Sequence, residues 1–383
     1  MLTAAAFDEL SIPITDLYCL YEQSVINDIA RRLAKLKFES AAWQMQRLVE
    51  SGLTYENALE ELSKVTGKTL LELRRIFNAA GVHTLQFDDA IYKAAGLKPL
   101  PLNLSPAMLN VLLQGLAKTA GVIHNLTMTT ALTAQEAFVS AADLAYMQVS
   151  TGAMSYGQAI RSAVKNVAQQ GLTTIAYPTG HKDQLDVAMR RTVLTGVAST
   201  TGTLQLSRAQ ELGVDLVQTS AHIGARPTHE VWQGKVFSLS GAPGYEDFLT
   251  ETGYGTVTGL CGINCRHSFY PFFEGLSENA YKAATLQEYA DKIVSYNGKT
   301  LSVYEATQKQ RSIEREIRKT KREAEALGAA GLDNTEELAK VRQLQAKMRD
   351  FINQTGLNRQ GVREGGRVLK VEVPPVPPVP PKK

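Results

Sequence analysis

The sequence predicts a predominantly helical α+β protein, and three observations carry that expectation. Apolar residues recur at spacings of three and four through most of the first 150 positions. Short β-like runs and glycine-rich turns replace that pattern between about 170 and 275, and charged helical periodicity then returns before a proline-rich end. A chain of 383 residues also exceeds one ordinary core, since domains usually hold about 100 to 200 residues. The expected division is a helical region over 1–150, an α+β domain over 151–276, a charged helical hairpin over 277–355 and a flexible basic tail over 356–383.

In the first region Leu17, Tyr21, Val25, Ile29, Leu33 and Leu36 lie on one face of a helix from Ile14 to about Leu36. Three further helices are expected over 38–50, 54–65 and 69–80. Gly67, Lys68 and Thr69 mimic the end of a phosphate-binding loop, but Leu62 occupies the position of its first glycine and no apolar strand precedes it. Thr69 with Glu72 reads instead as a capping box. The stretch LKPLPLNLSP is a linker in which Ser105 caps a helix with Pro106 at its first position. Helices over 106–120 and 133–149 complete the region.

The second region opens on an extended piece, Thr173 to Tyr177, and continues through Pro178 and Gly180 into a helix. Leu185, Met189, Val193 and Val197 form its buried stripe, and Leu212 with Gly213 signals its end. Two β-like runs follow, over 214–220 and 230–240, with HIGARPTH between them. After Pro271 the pattern is helical. Ile313, Ile317, Ala324 and Leu327 line one helix, which carries a Glu314 to Arg318 pair, and GAAGLDN turns the chain into a second. The two are expected to form an antiparallel hairpin. The closing VEVPPVPPVPPKK is expected to be polyproline II without a core.

Charge and cysteine usage exclude several classes of function. The net charge of +3 resides in the tail, where residues 357–383 carry six basic and two acidic side chains, so the body has no strong electrostatic footprint for DNA. Three cysteines make no disulfide framework and fit a reducing compartment. The first residues lack the basic and apolar segments of a signal peptide, and no apolar run approaches the roughly 18 residues of a membrane span. No membrane partner is expected.

The chemistry-bearing residues crowd into GLCGINCRHSFYPFF, residues 259–273. Cys261, Cys265 and His267 have the close spacing of zinc ligands, and His222 and His229 from the preceding loop could complete a tetrahedron. Three readings stand: a structural zinc, a packed turn in which cysteine is a small buried hydrophobe, and a metal- or thiol-dependent hydrolase using the Cys/His cluster. No orienting carboxylate is singled out for the last. Arg226 reads as an anion contact or a partner of a neighbouring acid or carbonyl, and Trp232 as core.

The order of three blocks is itself informative: TIAYPTGHKDQLDVAMRRTVLTG, then VDLVQTSAHIGARPTHEVWQGKVFSLSG, then GYGTVTGLCGINCRHSFYPFFEG. Together with NDIARRL and AAWQMQRL they resemble the phage minor capsid protein 2 family, with Arg226, Trp232, Gly234, Gly262, Asn264 and Arg266 among the signature positions. That family is similar to the wider phage Mu head-morphogenesis group, whose domain commonly closes on Cys-Arg-Cys. Cys265-Arg266-His267 stands here instead, keeping a ligand type but losing a thiol. The resemblance implies a structural, non-enzymatic virion component inside the head near the portal, present in the host cytoplasm during assembly. Its implied partners are the portal protein and other capsid or scaffold proteins, and its implied work is head assembly or DNA packaging or ejection. Packaged DNA could meet the basic tail, a nonspecific contact that charge and flexibility suggest.

Overall fold

The computed structural model describes residues 1–38, 42–172 and 183–365. The expected extended piece at Thr173 to Tyr177 and the end of the proline-rich tail lie outside the described residues. The helical region consists of α1 (Ala4–Leu10), α2 (Ile12–Lys35), α3 (Trp43–Ala94), α4 (Pro106–Thr127) and α5 (Thr130–Ser150). Beyond it come α6 (Tyr156–Gln170) and α7 (Leu185–Glu211). The predominantly helical α+β class holds.

The three short helices expected between 38 and 80 are one helix of 52 residues, α3. The expected capping box at Thr69 is therefore corrected: its hydroxyl donates to the Val65 carbonyl at 2.9 Å, one turn back inside the helix. Thr54 and Thr66 do the same toward Glu50 and Leu62, so their side chains do not compete for a helix end. Packing against α2, α5 and α7 outweighs the weak breaking signals of Gly52 and Gly67. Ser105 does cap α4, accepting from the backbone of Met108, with Pro106 at the first position.

The middle of the chain adds a four-stranded sheet of order β3-β2-β1-β4, made from β1 (Leu216–Thr219), β2 (Val236–Ser238), β3 (Glu246–Asp247) and β4 (Phe269–Pro271). β1 pairs antiparallel with both β2 and β4, while β2 and β3 run parallel. Two short helices, α8 (Pro227–Glu230) and α9 (Phe248–Thr252), sit in its connections. The expected strand over 230–240 shrinks to β2 because Gly234 turns the chain at φ +73°. A Cβ there would come within 2.8 Å of Leu286 and 2.9 Å of Tyr281.

The charged end is α11 (Val303–Ala329) packed on α12 (Thr335–Thr355), the expected hairpin. Before it stand α10 (Ala283–Asp291) and an unexpected β-hairpin, β5 (Ile293–Tyr296) with β6 (Lys299–Ser302). Asn297 and Gly298, both at positive φ, make its two-residue turn. The expected Glu314 to Arg318 pair gives way to a contact between Arg318 and Asp186 of α7 at 3.0 Å.

One apolar core runs from Leu2 through the helices and the sheet to Phe269 and takes in Ala326 and Leu327 of α11. A smaller cluster under the hairpin contains Tyr296, Ile313, Ile317, Met348 and Phe351. Gln205 of α7 anchors the sheet to the helices. Its amide nitrogen donates to Asp88 of α3 at 2.9 Å and to the Phe269 carbonyl, while its amide oxygen accepts from Ser268. That junction fixes the segment carrying Cys265, Arg266 and His267.

Candidate metal centre

The backbone of GLCGINCRH is folded on itself before any side chain is considered. The Ile263 amide donates to Val257, Leu260 to Thr252, and Cys265 to Gly262. A Cβ on Gly259 would overlap the Gly253 carbonyl, and one on Gly262 would lie 2.6 Å from two carbonyl oxygens, so the coil closes only around glycine. Cys261 and Asn264 take left-handed conformations at φ +60° and +55°. Arg226, directly before α8, donates to the Ile263 carbonyl at 3.0 Å and holds the coil from outside.

This coil brings Cys265 and His267 beneath α8, which supplies His229. His229 Nδ1 lies 3.4 Å from His267 Nδ1, and Cys265 Sγ lies 3.9 and 3.8 Å from those two nitrogens. All three residues are buried. They are the one group among the described residues whose ligand atoms gather closely enough to hold a metal ion. Trp232 packs its ring 4.7 Å from His229 and 4.8 Å from His267, so it is core beside the cluster, as its sequence context suggested.

The far nitrogens of both imidazoles are occupied. His229 Nε2 lies 2.8 Å from the Thr258 carbonyl, and His267 Nε2 lies 3.1 Å from Gln233 Oε1. That Gln233 atom also accepts from the His222 backbone amide at 3.1 Å, which identifies it as the oxygen. Gln233 was not among the expected site residues. An amide is not a usual ligand, so only its place between Trp232 and Gly234 marked it.

Burial pushes the pKa of both His229 and His267 down, with His267 further depressed by the two neighbouring histidines. Burial pushes the Cys265 thiol up. The remaining expected ligands stand beside the group. His222 stacks on His267 at 4.3 Å and its Nδ1 contacts its neighbour's carbonyl. Cys261 Sγ faces α7, where it would be 3.0 Å from a Cβ on Gly202.

Arg266 points away from the cluster and binds Asp8 of α1 at 2.9 Å. Asp8 also receives Arg190 of α7 at 2.5 Å and Arg363 at 2.9 Å. Burial alone would raise its pKa, but Arg266, Arg363, Arg190 and Arg311 together hold it below the ordinary value. Arg266 therefore ties the site segment, through Asp8, to both ends of the described chain.

The family model described as phage minor capsid protein 2 matches residues 2–353. The chain belongs to the phage minor capsid protein 2 family. Among curated relatives of this minor capsid protein, a structural protein of Lactococcus phage LL-H is 26% identical, with 91% of this chain and 98% of the relative aligned. A structural protein of Lactococcus phage mv4 is 36% identical over 30% of this chain and 88% of the relative. No solved structure matches. No described helix of the minor capsid protein is long and apolar enough to cross a membrane.

Proposed function

We propose that this minor capsid protein works by docking on the portal inside the phage head, with the outer face of α3 as its docking surface. Leu48, Leu59 and Leu70 are 63, 42 and 47% exposed on that helix. Their spacing of eleven residues is three helical turns, which sets them in one line about 33 Å long. Gly52, Ser63, Thr66 and Gly67 lie between them and leave room for a partner to approach. Exposed leucines in line on a long helix, with small residues between them, can seat in the groove of a partner, and they are the observation that carries this reading.

In this account the protein acts in head assembly, or in the packaging or ejection of DNA, and meets the portal in the host cytoplasm before the particle is complete. Other capsid or scaffold proteins are further partners. The surplus of basic residues after residue 356 supports a nonspecific contact with packaged DNA. A Cys/His hydrolase is disfavoured: Cys265 is buried and its thiol is pushed away from the reactive thiolate.

Co-expression with the portal protein tests the proposal. The wild-type chain should co-purify with portal, and a variant with Leu48, Leu59 and Leu70 all changed to Glu should not. Equal recovery of portal by both chains would remove α3 as the docking surface, and no recovery by wild type would remove the portal as partner.

A further inference from the structure

We infer that His229, Cys265 and His267 form a zinc centre with three protein ligands. Each imidazole has one nitrogen facing a fixed acceptor, the Thr258 carbonyl for His229 and the Gln233 amide oxygen for His267. An acceptor there requires Nε2 to carry the hydrogen in both rings. Both Nδ1 atoms of the neutral rings then present lone pairs, and those lone pairs meet at 3.4 Å.

Of the three facing atoms, only the Cys265 sulfur carries a proton. It can serve one nitrogen and leaves the other facing a lone pair in a buried site, which is costly. A cation at the centre satisfies all three atoms at once. The Nε2–H bonds to a carbonyl and an amide are the outer contacts that orient metal-bound histidine.

The size of the triangle selects the ion. With Zn–N near 2.05 Å and Zn–S near 2.3 Å, a regular tetrahedron separates two nitrogens by about 3.4 Å and nitrogen from sulfur by about 3.6 Å. The observed edges are 3.4, 3.8 and 3.9 Å. Two imidazoles and a thiolate are also the donors that zinc prefers over calcium or magnesium, which take oxygen.

Binding releases the Cys265 proton to solvent and leaves a thiolate on the metal. Among the described residues no fourth histidine, cysteine or carboxylate joins the group, so the protein ligands proposed here are these three. Cys261 stays against Gly202 and is not a ligand. The centre staples α8 to the coil before β4, two segments separated in the chain by β2, β3 and α9, and contributes folding energy there.

The full chain, produced with zinc in the medium, should carry stoichiometric zinc by elemental mass spectrometry. Cobalt(II) exchanged into it should give a thiolate charge-transfer band. Cys265→Ser should lose that band, His229→Ala should lose stoichiometric binding, and Cys261→Ser and His222→Gln should keep both. Chelation of the wild-type chain should lower its thermal midpoint, a readout that does not depend on whether a ligand variant folds. Wild-type protein free of zinc, or with a midpoint indifferent to chelation, would overturn the centre. Loss of the cobalt band in Cys261→Ser would overturn this ligand set.

Discussion

Gly115 of α4 and Thr200 of α7 are packed so closely that a Cβ on the glycine would overlap the threonine side chain. Gly196 of α7 and Thr119 of α4 repeat the contact one turn away, so the helices run antiparallel with glycine facing threonine twice. Gly115→Ala and Gly196→Ala should each destabilise the protein by about 1–3 kcal/mol through overpacking, although alanine is the better helix former. Denaturant midpoints check this, and an unchanged midpoint in both variants would contradict the contact.

Two glycines of α3 predict the opposite sign. A Cβ on Gly52 or Gly67 would meet nothing within 4 Å. Alanine at either position should raise the stability of the isolated chain by roughly 0.5–1 kcal/mol. Leu48, Leu59 and Leu70, being exposed, should each tolerate Glu within about 0.5 kcal/mol. If the triple variant unfolds early by circular dichroism, the stripe supports the fold rather than a partner.

Glu22 of α2 and Arg322 of α11 form a buried ion pair at 2.9 Å. Glu22 also accepts from the Leu172 amide at 2.8 Å, and Arg322 donates to the Ala168 carbonyl at 3.2 Å, so the pair fastens the C-terminal hairpin to α2 and α6. Arg322→Leu should cost about 3–5 kcal/mol by leaving a buried carboxylate without its cation. Adding Glu22→Leu should recover much of that loss. A single variant as stable as wild type in thermal unfolding would refute this coupling.

Asp88 gives the protein a pH dependence. Burial pushes its carboxyl up from 3.8 to about 8, against the opposing hydrogen bond from Gln205. Between those two values the unfolded chain has released the proton and the folded chain still holds it. This group's contribution is therefore fully present below about pH 4 and is lost as pH rises toward 8. Asp88→Asn, which keeps a neutral side chain of the same shape, should flatten that decline and raise the unfolding midpoint at pH 8. Parallel stability profiles for the two proteins between pH 5 and 8 would contradict it.

Periodicity made the helices legible because a helix buried on one face repeats its apolar residues wherever it packs. It could not tell that α3 continues through Gly52 and Gly67, since packing against α2, α5 and α7 is a property of the assembled chain. The β5–β6 hairpin was announced by Asn297-Gly298, but the charged helical pattern around it outweighed the turn signal. At the candidate centre, the crowding of Cys261, Cys265 and His267 marked the coil that carries two of the three gathered ligand residues. Spacing alone could not say that the left-handed turn at Cys261 sends its sulfur toward Gly202 while His229 arrives from α8.

Whether α3 faces the portal is read by cross-linking mass spectrometry on purified phage particles with a carboxylate-reactive reagent, because Glu56 is exposed on α3 three residues before Leu59 and on the same face. Cross-links from Glu56 to the portal protein are expected. Cross-links from Glu56 to the major capsid protein alone, or absence of the chain from the particles, would contradict the proposed docking face.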